Sequence, residues 1–185
     1  MSTQNQPSNL NYLSPLGFRF QIKRLPNVNY FCQSVTLPTI TMNPAEQQST
    51  PFGIIPRPGD RLTYDPFVLR FRVDEDLVNY LEIENWLVGM GHPETLQQSK
   101  DFADSNPSPF VTGRGGNQSA SSANFVSDAT LTVLTSHKNP HVNIFFQDAF
   151  PITLTELTFD TTQADLEYLE ATVTFRYRKF SIERI

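Results

Sequence analysis

Apolar and polar residues alternate along much of this chain. Phe18, Phe20 and Ile22 are interleaved with Arg19, Gln21 and Lys23, the period-two pattern of a strand with one buried face. Leu25-Pro26-Asn27-Val28-Asn29 reads as a turn, and Tyr30 to Leu37 as a second strand completing a hairpin. Phe67, Leu69, Phe71 and Val73 alternate with Val68, Arg70 and Arg72 in a third. Four more strand-like runs follow: Phe125–Thr135, Val142–Gln147, Ile152–Phe159 and Tyr168–Ile182. Ile152 and Leu154 fall on one phase and Leu157 and Phe159 on the other, so a bulge near Thr155-Glu156 would bring them onto one face. In the last run Leu169, Ala171, Val173, Phe175 and Tyr177 alternate with Glu170, Thr172, Thr174, Arg176 and Arg178.

The period changes at Asp74. Asp74-Glu75-Asp76 places carboxylates where a helix start favours them, and Asp74 is the expected N-cap. Leu77, Tyr80, Leu81, Ile83, Leu87 and Met90 cover one broad side of the following helix, with Asn79, Glu82 and Asn85 mostly off it. Gly89, Gly91 and Pro93 end it. Trp86 belongs to the rim or the core. About seven strands and one helix predict a mainly β fold, an antiparallel β-sandwich or half-barrel with one packed α-helix.

Three segments lie outside this pattern. Residues 1–14 read as a flexible polar arm, leaving 15–185 as a single β domain. From 38 to 62 the chain carries Pro38, Pro44, Pro51, Pro56 and Pro58, yet also Phe52, Ile54 and Ile55. The prolines argue for an extended edge or loop, and a partly apolar excursion of this length is commonly functional. Residues 97–124 are Ser, Asn, Gln, Gly and Asp without a period, which predicts a partly mobile surface loop.

Composition agrees with strands and turns. The 185 residues include 15 Phe and 14 Pro, enough chain for one domain with a core that needs no staples. A net charge of −5 argues against phosphate neutralisation as the main design. Cys32 is the single cysteine, so no intrachain disulfide is available, and its strand-like surroundings suit a small buried apolar residue rather than a nucleophile. No segment is long and apolar enough to span a membrane. Met1 to Asn9 lack both a basic start and an apolar stretch, which predicts a soluble protein of the cytoplasm where it is made.

Candidate chemistry is sparse. His137 and His141 are four apart, but Pro140 breaks the helix that would align them, so an ordinary polar turn is expected rather than a metal site; His92 is remote in sequence. The acidic run at 74–76 is explained by a helix start, and no calcium-loop pattern is present. Gly113-Arg114-Gly115-Gly116 leads into Asn117-Gln118-Ser119-Ala120-Ser121-Ser122, whereas a phosphate cradle leads directly into a helix. No catalytic residue, metal ligand or cofactor site is predicted. Arg70, Arg72, Arg176 and Arg178, with Glu170, lie on the polar faces of two strands. They suit pairing across strands or subunits better than a nucleic-acid groove, since no aromatic residues are interleaved on that face.

Four stretches together resemble the tail tube protein family of contractile bacteriophages. They are Phe31-Cys32-Gln33-Ser34-Val35-Thr36-Leu37-Pro38; Pro58-Gly59-Asp60-Arg61-Leu62-Thr63-Tyr64-Asp65-Pro66-Phe67; Val73-Asp74-Glu75-Asp76 leading to Asn85-Trp86; and Asp148-Ala149-Phe150-Pro151 through Leu157-Thr158-Phe159-Asp160 to the last strand. The resemblance implies a β-sandwich or half-barrel with one helix, assembled as stacked homo-hexameric rings in the virion tail. It implies tail sheath and baseplate proteins as partners, and phage DNA passing through without specific binding. The 38–62 excursion would meet a neighbouring ring through Pro38, Phe52, Ile54, Ile55 and Pro56. The arginine-rich strand face (Arg70, Arg72, Glu170, Arg176, Arg178) would be a polar lumen or interface face. The insertion at 97–124 departs from a minimal tube subunit and leaves a baseplate tube initiator or tube-end protein as the alternative. A monomeric β-barrel binding module is the alternative from another class.

Overall fold

A computed structural model describes residues 11–50, 53–91, 95, 97, 125–162 and 168–185. Phe52, His92, Pro93, residues 98–124 of the predicted surface loop and the first ten residues of the predicted arm lie outside the described residues.

Seven strands form one antiparallel system. They are β1 (Phe18–Ile22), β2 (Cys32–Val35), β7 (Phe67–Arg72), β8 (Ser127–Leu134), β9 (Pro140–Leu154), β10 (Glu170–Arg176) and β11 (Lys179–Arg184). Strand β9 belongs to two layers. Its first half pairs with β8 and β11, from Val142 opposite Val133 and Arg184 to Phe146 opposite Ala129 and Phe180. Its second half pairs with β10, Phe150 opposite Arg176 and Leu154 opposite Val173. One layer therefore reads β1-β8-β9-β11, and the other β2-β7-β10-β9.

Both layers turn alternate apolar residues inward, as period two requires. Phe20, Ile22, Leu131, Ile144 and Phe146 come from one; Phe67, Leu69, Phe71, Val173 and Phe175 from the other. Phe67 is the centre, its ring 4.6 Å from Phe146, 5.0 Å from Phe175, 5.8 Å from Tyr177 and 6.0 Å from Phe20. Helix α2 (Val78–Gly91) adds Ile83 and Trp86. Trp86 is core: it is buried, and its Nε1 donates to the Phe125 carbonyl at 2.8 Å.

The passage between layers is a corner at Asp148, which holds φ at 55°. That left-handed backbone is tolerated by Asp better than by branched residues. Its amide donates to Asp128 Oδ1 at 3.2 Å. On the partner strand, the Arg178 amide donates to the Gln147 carbonyl at 2.9 Å, and Arg178 Nε lies 2.8 Å from Asp148 Oδ2.

The structure changes several expectations. Residues read as a turn and the start of a strand form helix α1 (Pro26–Phe31), with proline in its first turn, where no amide is needed. Asn29 fixes it to β1, accepting from the Ile22 amide at 3.0 Å and donating to the Ile22 carbonyl at 2.9 Å. The runs 142–147 and 152–159 are not separate strands; β9 covers the first and ends at Leu154. The bulge falls at Ile152, between Pro151 opposite Phe175 and Thr153 opposite Thr174, not at 155–156.

Asp74 is not the N-cap. Leu77 donates its amide to the Asp74 carbonyl at 3.1 Å, closing a turn, and itself precedes the helix with φ 57°. Buried Asn79 ties the entry instead, donating to the Arg72 carbonyl at 2.8 Å and accepting from the Asp74 amide at 3.4 Å. The buried face of α2 is Asn79, Ile83, Trp86 and Gly89, while Leu81 is exposed.

Two consequences are testable by urea unfolding. Phe67→Ala removes the ring shared by both layers and should cost about 3–5 kcal/mol. Asp148→Val forces a branched residue into the left-handed region and should cost about 1–2 kcal/mol, whereas Asp148→Gly should lie near the unsubstituted chain.

Candidate assembly interface

The 38–62 segment is a hairpin. Strand β3 (Ile40–Met42) pairs with β6 (Leu62–Tyr64), and β4 (Ala45–Thr50) with β5 (Gly53–Arg57). Fully extended, the chain from Ile40 to Thr50 would span at most about 35 Å. Prolines are compatible with it because each strand has one partner and one open side, so an absent amide breaks no central ladder. Between its two sections Gly59 passes so close to the Asn43 carbonyl that a Cβ would collide with it. The base is closed by the Asp65 amide donating to the Thr39 carbonyl at 3.1 Å. Tyr64 roots it in the sheet corner, 5.7 Å from Phe180 and 6.1 Å from Tyr177.

The expected contact residues are distributed unevenly along it. Pro56 is exposed in β5 opposite Glu46. Ile54 and Ile55 lie in β5 opposite Gln48 and Gln47. Pro38 precedes β3 and is buried within the chain. Sequence reasoning overlooked the base, where Ile40, Met42 and Leu62 share one face of the ladder and stand about half exposed. Their period-two spacing was the available signal.

Strand edges are the second feature. Among the described residues β1 pairs only with β8, β2 only with β7, and β11 only with β9, so each has an open edge. Such edges offer unpaired amides and carbonyls to another chain.

The arginine-rich face is partly assembled. Arg70 Nη1 lies 3.3 Å and Arg72 Nε 4.0 Å from the two oxygens of Glu170. The Gln33 amide fits between them, turned so that its NH₂ donates to Glu170 Oε1 at 2.6 Å and its carbonyl accepts from Arg72 Nε. The Arg72 guanidinium also lies 5.4 Å from the Tyr168 ring. Arg176 is exposed and forms no ion pair among the described residues. Arg178 does not continue this face, because β10 ends at Arg176 and the chain turns into β11, carrying Arg178 to Asp148 at the corner. Exposed pairs of this kind contribute up to about 1 kcal/mol; they fix register more than they add stability.

No group of three His, Cys, Asp or Glu that could hold a metal ion occurs among the described residues. His137 Nδ1 lies 3.3 Å from Ser136 Oγ in the β8–β9 turn. Burial pushes the Cys32 thiol up to about 12, far from a nucleophile's range. No helix among the described residues is long and apolar enough to cross a membrane.

The family model for phage tail tube proteins matches residues 5–183. The chain belongs to the phage tail tube protein family. This family member is 28% identical over 155 residues to the tail tube terminator protein of Enterobacteria phage T4, covering 82% of this chain and 76% of that protein. Its fold is similar to a chain of the anti-feeding prophage tube-terminating cap, with TM-score 0.58, 12% identity, and 99% and 98% of the two chains covered. A chain of the PVC extracellular contractile injection system sheath–tube complex in the extended state is also similar, with TM-score 0.53, 16% identity, and 100% and 99% covered. At those identities the two structures establish the mainly β tube-like fold of this family member and nothing finer.

The Cys32 environment gives a pH prediction. The folded thiol stays protonated up to about 12, while in the unfolded chain it ionises near 8.5. The unfolded state therefore binds fewer protons between those values, and stability falls as pH rises through that window. In native protein at pH 8.5, alkylation of Cys32 should be more than about a hundredfold slower than in urea; equal rates would show an open thiol.

Proposed function

We propose that this protein is a ring-forming structural subunit at an end of a contractile phage tail tube, acting by assembly and catalysing no reaction. The observation that carries the reading is the set of open edges on β1, β2 and β11 beside a hairpin whose apolar base is half exposed. A fold with these features is completed by copies of itself or by close relatives. The tube end is favoured over the repeating body by the 28% identity to a tail tube terminator protein across 76% of its length.

In this reading the chain sits in the virion tail, assembled in the bacterial cytoplasm. Its copies form a homo-hexameric ring seated on the tube, with sheath and baseplate proteins as the other tail partners, and phage DNA crosses the ring without specific binding. The hairpin carries the contacts to the adjoining ring: Ile54, Ile55 and Pro56 in β5, and Ile40, Met42 and Leu62 at its base, with Phe52, outside the described residues, expected among them. Pro38 supports the base from inside the subunit. Arg70, Arg72, Glu170 and Arg176 form a polar lumen or interface face.

The second reading, a repeating subunit of stacked rings, is supported by the match of the phage tail tube protein family model to residues 5–183. Electron microscopy of the tails with gold-labelled antibody against this chain separates them. Label confined to one tube end is the expected result; label along the whole tube establishes the repeating subunit. Label at the baseplate end assigns the ring to tube initiation, and absence from tails overturns the assignment. Purified protein should give single or short-stacked rings rather than long polymers.

A further inference from the structure

Residues Asn11 to Leu16 precede β1 and carry no charge. Tyr12, Leu13 and Leu16 stand in solvent at 96%, 69% and 91% exposure. Three large apolar side chains on six residues form an uncovered patch that gains by burial against another surface.

A matching surface exists elsewhere on the subunit. A cleft of about 670 Å³, mostly apolar, opens between the end of α1, the β7–α2 connection and the start of β10. Phe31, Val73, Leu77 and Leu169 wall it, and the exposed rings of Phe159 and Tyr168 stand at its rim. Its volume suits a few side chains. Arg72, Asp74 and Glu75 also line the cleft; Arg72 already faces Glu170 and Tyr168, and the two carboxylates repel an anionic peptide, so an uncharged one fits better.

Topology sets the two surfaces apart. The Gly17 carbonyl accepts from the Leu134 amide, so the arm leaves β1 at its N-terminal end, beside the β8–β9 turn. The cleft lies past the other end of β1, where Asn29 holds α1 against Ile22 and the helix ends at Phe31. Five residues from Gly17 back to Tyr12 reach at most about 18 Å, and β1 itself takes up roughly 17 Å. A subunit could fill its own cleft only by stretching the arm fully back along its own edge strand. A neighbour meets no such constraint. Complementary surfaces at opposite ends of a subunit make a head-to-tail contact, which closes into a ring or propagates as a stack.

We infer that the Tyr12–Leu16 segment of one copy packs into the Phe31/Leu77/Leu169 cleft of the next copy. This rests on the reading of the protein as a ring subunit, and it names the contact that joins neighbours.

The test uses full-length chains in a Cys32→Ser background. Chains with Leu13→Cys are mixed with chains carrying Phe159→Cys, an exposed rim position that leaves the core untouched, and oxidised under mild conditions. Disulfide-linked heterodimers should exceed those from a control pair of Leu13→Cys and Asn85→Cys by at least about tenfold, as a docked arm raises local thiol concentration. A chain with both Leu13→Cys and Phe159→Cys should give linked oligomers; an internally closed monomer overturns the inference in favour of self-docking. Failure to exceed the control overturns it as well. The same samples are inspected for rings by negative stain. Rings without cross-links sink the arm contact and leave the proposed function standing, whereas cross-links without rings keep the contact and remove the ring.

Discussion

The two layers of this subunit are held in one body by strand β9, which belongs to both, and by the corner at which it passes between them. Two adjacent features allow the passage. Asp148 takes a left-handed backbone, and β10 gives way to β11 directly opposite, so both strands of the ribbon bend at the same level. The Arg178–Asp148 pair and the Arg178–Gln147 bonds cross that bend. As exposed contacts they supply little stability, and their effect is geometric. Stability comes from what the bend brings together: Phe146 of one layer and Phe175 of the other, both packed against Phe67. Each such ring is worth about 1.5–3 kcal/mol of burial.

The same corner decides what remains open. A ribbon shared by two layers leaves β1 and β11 at the borders of one and β2 at a border of the other. Among the described residues the second half of β9 from Phe150 on pairs only with β10, so it is a border too, and there Pro151 occupies a position where a missing amide breaks no central ladder. The hairpin rooted at Tyr64 extends from this corner, its ring against Tyr177 and Phe180. Core packing and outward presentation thus share residues: Tyr177 touches Phe67 on one side and Tyr64 on the other.

Period two made β1, β7 and β10 legible, because each has one inward phase, wholly buried in β7 and β10 and buried at Phe20 and Ile22 in β1, and the period change at Asp74 located α2. What escaped has specific causes. Helix α1 has six residues, two of them Asn, too short for a 3.6-residue period to show, and its anchor is a side-chain bond from Asn29 that composition does not reveal. The continuity of β9 was hidden because its left-handed residue is an Asp rather than a Gly. The face of α2 was misjudged because a buried Asn79, satisfied by backbone groups at the end of β7, looks polar in sequence. Prolines between 38 and 62 correctly argued against a central strand, but a two-stranded hairpin is all edge. Ile54 and Ile55 of β5 were visible to sequence reasoning, and the apolar residues at the base were read as part of the loop.

Open edges joined to exposed apolar residues are the ordinary recipe for indiscriminate aggregation, so the subunit must restrict how it pairs. Prolines serve that end at several of the edges. Pro44 and Pro58 stand at the joint between the two hairpin ladders, Pro56 removes an amide from β5, and Pro151 removes one from β9. Backbone pairing at those positions is therefore penalised for any incoming strand, whatever its sequence. Side-chain fit is left as the selective part of recognition: the Ile40, Met42 and Leu62 face of the hairpin, and, in the proposed contact, the uncharged Tyr12–Leu16 arm opposite a mostly apolar cleft. A surface built this way tolerates related partners that keep apolar shape at these few positions while rejecting chance strands, as the proposed role at a tube end requires.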